Sequence, residues 1–115
     1  MALKMTNREV DGVAVLSLDG RIALGEETNA LREKVKDLIA GGKKKVVLNM
    51  NDVTLIDSSG LGALVSAHSS ARSKGASLRL CNLGSRFKEL LQITKLLTVF
   101  EVSDTEADAV RSSSE

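Results

Sequence analysis

An α/β domain with a mixed, mostly parallel sheet covered by helices is the fold class this chain predicts. Three features carry the prediction. A hairpin signal, Asp11-Gly12, lies between two strand-like runs at the N-terminus. After it, short apolar runs alternate with segments of helical period. Glycine stands at the breaks, since the chain has no proline.

Leu3 to Val10 reads as the first strand and Val13 to Leu18 as its hairpin partner. Beyond Gly20 the period changes. Leu31, Val35, Leu38 and Ile39 fall at helical spacing, with Glu26 and Glu27 near the start as the helix dipole prefers, and Gly41-Gly42 ends that helix. Lys45 to Met50 is a β-branched run suited to a strand covered on both faces. A bend is expected at Asn51-Asp52, followed by extended, apolar Val53 to Ile56. The second helix begins near Ser58, with Leu61, Leu64, Val65, His68 and Ala71 on one face, and Gly75 closes it. Leu78 to Leu83 makes a strand around Cys81. Gly84-Ser85 opens a third helix with Phe87, Leu90 and Leu91 inward, and Val99 to Val102 reads as a short last strand. Ser103-Asp104-Thr105-Glu106 has the spacing of a capping box for a final helix to about Arg111. The expected unit is one domain over 1–115, with its core at about 5–111 and a frayed tail at 112–115.

Composition narrows the function. Of 115 residues, 43% are apolar and 27% charged, which places the chain among globular domains. One Cys cannot form an intramolecular disulfide, and one His with one Cys do not make a zinc site. Two aromatic residues are poor material for a base-stacking platform. Sixteen basic against fifteen acidic residues leave no field to draw nucleic acid or an anionic membrane. Met1 to Val10 lacks the apolar stretch of a secretory signal, and no apolar run approaches the roughly twenty residues that span a bilayer. A reduced, cytoplasmic protein without a cofactor is the expectation.

In open α/β sheets, function gathers where strand C-terminal ends meet helix N-termini. That rule points at Leu55-Ile56-Asp57-Ser58-Ser59-Gly60-Leu61-Gly62. The plain reading is that Asp57 or Ser58 caps the helix, which contributes about 1 kcal/mol. Capping does not account for a second Ser and two glycines in the same turn. Small residues there would keep the surface low enough for another protein's backbone to approach.

Other chemistries fit poorly. No Gly-x-Ser-x-Gly elbow surrounds Ser58 or Ser59. The lone histidine, His68, lies ten positions beyond Ser58, about 15 Å along the same helix, and on its apolar face. Neither Gly60-Leu61-Gly62-Ala63-Leu64-Val65 nor Gly41-Gly42-Lys43 completes a phosphate-binding fingerprint. Lys43-Lys44-Lys45 reads as a solvated approach to a strand, and Cys81 as a small core residue.

Strand, Asp57-Ser58-Ser59-Gly60-Leu61-Gly62, helix, preceded by a hairpin with Gly20-Arg21-Ile22, resembles the anti-sigma factor antagonist family, the single-domain STAS fold. The likeness runs from about Met5 to Arg111. It implies that Ser58 is a phosphorylation site, with Ser59 as secondary candidate. The implied partners are an anti-sigma factor that is also a serine kinase of the histidine-kinase-like ATPase fold, and a PP2C-type phosphatase that reverses the modification. The unmodified protein would bind the kinase and free its sigma factor, without being an enzyme. Asp57, Ser58, Ser59, Gly60, Leu61 and Gly62, with Ala23, Leu24 and Gly25, would form the partner surface. Many family members carry an acid where this chain has Ala23. Two other readings stand beside this one: an accessory STAS subunit of a lipid or anion transport system, and a small-ligand or nucleotide-binding module.

Overall fold

In the computed structural model, which describes residues 3–113, the opening hairpin pairs β1 (Leu3–Val10) with β2 (Val13–Ile22). Asp11 and Gly12 take φ of 51° and 80°, the left-handed pair that a two-residue turn of the right twist requires. Then follow α1 (Leu24–Ala40), β3 (Lys45–Ile56), α2 (Ser58–Ser73), β4 (Ser77–Cys81), α3 (Ser85–Ile93), β5 (Glu101–Ser103) and α4 (Glu106–Ser113). The sheet order is β1-β2-β3-β4-β5, antiparallel between β1 and β2 and parallel elsewhere. The mixed, mostly parallel architecture expected from the sequence is the one observed, and the radius of gyration is 12.7 Å.

Strand alternation divides the apolar residues between two layers. Ala14, Leu16 and Leu18 of β2, with Val46, Leu48, Leu78 and Leu80, pack against Leu31 and Val35 of α1, Leu64 and Ala71 of α2, and Leu91 of α3. Val13, Val15, Val47 and Cys81 belong to a second cluster, closed by Ala109 and Val110 of α4. Both faces of β3 are therefore covered, as its unbroken apolar run predicts.

A polar network ties α4 to the sheet. Glu106 Oε1 accepts from Arg8 at 2.6 Å and from Asn49 Nδ2 at 3.0 Å, while Asn82 Nδ2 donates to Asn49 Oδ1 at 3.1 Å. Desolvation pushes the Glu106 carboxyl up, but the hydrogen bonds from Asn49 and Arg8 and the Arg8 charge outweigh it and hold the carboxyl below its usual range.

Several boundaries differ from expectation, each for a local reason. β2 continues past Leu18 to Ile22 because Gly20, at φ 113°, carries the strand through a register shift. The bend expected at Asn51-Asp52 is instead a bulge in a continuous β3: pairing steps from Ser17↔Asn49 to Asp19↔Asp52, leaving an extra residue on β3. β4 stops at Cys81 rather than Leu83, since Asn82 turns away at φ 56°. β5 starts at Glu101, two residues later than expected, because Val99 and Phe100 bond back to Leu96. The capping box at Ser103 does not form: Thr105 Oγ1 accepts from the Asp108 amide at 3.1 Å, and Glu106 is engaged by Arg8 and Asn49. α4 extends to Ser113, whose buried hydroxyl donates to the Ala109 carbonyl at 2.8 Å. The tail therefore does not begin at 112, and its last two residues lie outside those described.

Candidate functional site

Ile56 ends β3 in register with Ile22, the last residue of β2, so the two following turns adjoin at one end of the sheet. Asp57 leaves the strand with extended torsions, φ −101° and ψ −174°, as a helix cap requires. Its Oδ1 accepts from the Gly60 amide at 2.8 Å and from the Ser59 hydroxyl at 2.7 Å. Its carbonyl accepts from the Leu61 amide at 2.9 Å. Asp57 is thus the cap that the plain reading anticipated, and Ser58 is the first residue of α2.

The two serines are not equivalent. Both are exposed, but the Ser59 hydroxyl is held by Asp57. The Ser58 hydroxyl has no hydrogen-bond partner among the described residues, and it sits on the positive end of α2. Composition and spacing alone do not distinguish the two, and the resemblance ranks Ser58 first by motif position; the direction of the Asp57 side chain gives them different surroundings.

The glycines divide as well. A Cβ on Gly60 would lie 1.8 Å from the Ile22 carbonyl oxygen and 2.8 Å from its carbon. Gly60 is buried, and its smallness lets α2 press onto the end of β2, an internal contact rather than a partner's approach. Gly62 is exposed and would meet nothing within 4 Å, so it keeps that part of the helix surface low. Leu61 is half-buried against the core.

Across the adjoining turn, Ala23 is buried at the N-cap of α1 and supplies no capping side chain. Leu24 opens the helix. Gly25 is exposed, and its carbonyl accepts from the Thr28 hydroxyl at 3.0 Å. Arg21 is exposed and pairs with Glu27 at 3.4 Å. The candidate residues of both turns therefore converge on one end of the sheet, Ser58 and Gly25 at its surface and Ala23 and Gly60 beneath.

The other chemically distinctive side chains lie elsewhere. His68 is buried edge-on to Phe100, with ring centroids 5.6 Å apart. Cys81 is buried, and burial, with the Glu106 charge behind it, pushes its thiol up to about 11. Among the described residues no group of three or more His, Cys, Asp or Glu could hold a metal ion, and no helix is long and apolar enough to cross a membrane.

Leu55 opens the segment that the sequence singles out, but the partner surface implied there starts only at Asp57. Leu55 sits in an apolar run yet is 53% exposed, on the stretch of β3 leading to Asp57. The bulges in β3 break the alternation that would have identified its direction.

Comparison with known proteins gives the geometry a context. The STAS domain family model matches residues 4–109. The anti-sigma-B factor antagonist of Bacillus subtilis is 36% identical over 73 residues, covering 64% of this chain and 66% of its own. An anti-sigma factor antagonist from Mycobacterium paratuberculosis superposes with a TM-score of 0.84 at 21% identity, over 98% of this chain and 95% of its own. The Bacillus protein SpoIIAA, an anti-sigma factor antagonist, has been solved unphosphorylated and phosphorylated. At 19% identity to this chain, the two forms give TM-scores of 0.72 and 0.70, covering 94% and 96% of this chain and 96% and 97% of theirs.

Proposed function

Because the chain belongs to the STAS domain family, we propose that it is an anti-sigma factor antagonist switched by phosphorylation at Ser58. The observation that carries the proposal is the asymmetry of the serine pair. One hydroxyl is committed to the helix cap, and its neighbour is exposed at the helix N-terminus with no hydrogen-bond partner among the described residues.

In the proposed cycle the unmodified protein binds an anti-sigma factor that is also a serine kinase, and so frees the sigma factor. The Ser58 oxygen then attacks the γ-phosphorus of ATP, ADP leaves, and the hydroxyl proton passes to a base of the kinase. A PP2C-type phosphatase hydrolyses the phosphoserine and restores the binding form. The chain itself catalyses nothing and works in the cytoplasm.

Electrostatics suits this site to such a switch. A phosphoserine adds about −1.5 to −2 charges at neutral pH. The α2 dipole stabilises that charge by about 0.3–1 kcal/mol, while Asp57 opposes it through a screened repulsion of similar size. The two nearly cancel, so the fold tolerates modification. That SpoIIAA exists in both forms on the same fold supports this expectation. A partner surface built for a neutral hydroxyl is another matter. Burying an unpaired phosphate there costs several kcal/mol, which is on the order of a hundredfold or more in affinity.

The test is incubation with the partner kinase and ATP, followed by mass-spectrometric mapping. Phosphate on Ser58 is the expected result. Phosphate on Ser59 alone, or none, would remove the proposal. In parallel, Ser58→Ala should stay bound to the kinase while Ser58→Asp binds about a hundredfold more weakly. Equal binding of the two variants, with retention on a membrane transport component, would favour the accessory-subunit reading instead.

A further inference from the structure

Beside the Ser58 turn lies a surface with no role in the cycle above. β3 outruns β4. Their pairing ends at Asn49↔Cys81, where Asn82 turns off to donate its amide to the Asp104 carbonyl, while β3 continues to Ile56. Beyond Asn49 the strand pairs with β2 at Asp52, Val53, Leu55 and Ile56 on one side, and among the described residues no strand lies on the other. A groove of about 320 Å³ separates this stretch from α3. Met50, Val53 and Ile56 line one wall, and Phe87 and Leu90 the other. Arg86 also lines it, exposed and without an ion pair among the described residues.

We propose that this groove receives a short extended segment of a partner protein, which adds to β3 as a further parallel or antiparallel strand and sets an acidic side chain against Arg86. The chemistry selects that occupant. A free strand edge offers backbone N–H and C=O groups at the strand spacing, and another strand satisfies them. An aliphatic ligand filling the same space would strand those groups without partners. Alternate side chains of the added strand face the Phe87 and Leu90 wall, so the segment needs apolar residues at every second position. The uncompensated guanidinium at the rim calls for a carboxylate. The bulges that bend β3 keep the added strand short. Because Leu55 and Ile56 run directly into Asp57 and Ser58, a segment held here tethers its parent protein beside the hydroxyl without using it.

The inference is testable without any kinase. A displayed library of random decapeptides is panned against the full chain, and recovered peptides are titrated into isotopically labelled protein. Expected are sequences with alternating apolar residues and an Asp or Glu. They should shift the amides of Val53–Ile56 and Arg86–Leu90 and slow hydrogen exchange along β3. Arg86→Glu should weaken them about tenfold and improve their lysine-substituted versions. A central proline in the peptide should abolish binding, since it removes a ladder donor. The proposal is overturned by recovery of no binder tighter than millimolar, by shifts confined to other faces, or by indifference to Arg86→Glu. It is equally overturned if sedimentation shows a dimer of this chain that buries the same edge. None of these outcomes depends on whether Ser58 is phosphorylated.

Discussion

Replacing Gly60 with alanine asks whether the close contact between α2 and β2 is as rigid as its geometry indicates. The added Cβ would stand 1.8 Å from the Ile22 carbonyl oxygen and 2.8 Å from its carbon. Neither atom belongs to a flexible side chain. Ile22 is paired with Ile56 in the sheet and is fully buried, so the strand end cannot swing aside. Relief to even 3.0 Å requires the first turn of α2 to retreat by about 1.2 Å. That movement strains the core, and overpacking of this kind costs typically 1–3 kcal/mol or more. It also lengthens the bond from the Gly60 amide to Asp57 Oδ1, a cap of about 1 kcal/mol. A loss of roughly 2–4 kcal/mol is the result, a large share of the roughly 5–15 kcal/mol typical of a domain.

Urea unfolding followed by far-ultraviolet circular dichroism is the suitable assay, since the chain has no Trp. The midpoint should fall with little change in slope. Gly62→Ala is the internal control: its Cβ would meet nothing within 4 Å, so replacing a helical glycine should stabilise by about 0.5–1 kcal/mol. Opposite signs at two glycines separated by a single residue are the signature. A Gly60→Ala variant within about 0.5 kcal/mol of the parent would refute the reasoning.

Three further outcomes follow from the same structure. Ser58→Asp should leave the urea midpoint nearly unchanged, a difference within about 0.5 kcal/mol, because the helix dipole and Asp57 oppose each other; a clear loss of stability would mean that charge at this turn damages the fold. The Glu106 carboxyl is depressed in the folded state, so its stabilisation is present above the unfolded pKa of 4.5 and is lost as pH falls through the lower folded value. The stability gap between the parent and Glu106→Gln should therefore be wide at pH 6 and shrink below pH 4 (about where carboxylates protonate), and a gap that does not vary with pH would contradict the network described for α4. The Cys81 thiol, buried and raised to about 11, should resist a soluble disulfide reagent at pH 8 and react at once in concentrated urea; prompt labelling of the native protein would show that α4 opens readily.

The fold was legible at the level of element type and order. Hairpin, alternation and helical faces all follow from short-range patterns: Asp11-Gly12 forces its turn, and Leu31, Val35, Leu38 and Ile39 mark their helix wherever it packs. What failed were features set by pairing between distant segments. The bulge at Met50-Asn51 exists because β2 and β3 differ in length between fixed ends, and no local propensity records that difference. The same holds for the capping box, where Arg8 and Asn49, both far away in sequence, claim the carboxylate that Glu106 would have lent to the helix start.

At the candidate site the division is similar. Sequence alone determined that an acid, two hydroxyls and two glycines meet at a strand-to-helix turn, because strand and cap signals are local and strong. Only the tertiary structure decided their separate tasks. Asp57 turns its carboxylate to Ser59 and leaves Ser58 open; Gly60 is demanded by the Ile22 carbonyl of another strand, and Gly62 by nothing within reach. The groove beside β3 was invisible for the same reason, since it depends on where β4 stops relative to its neighbour. Residue types and spacing set what chemistry is available, and packing between remote segments sets which atom is free to use it.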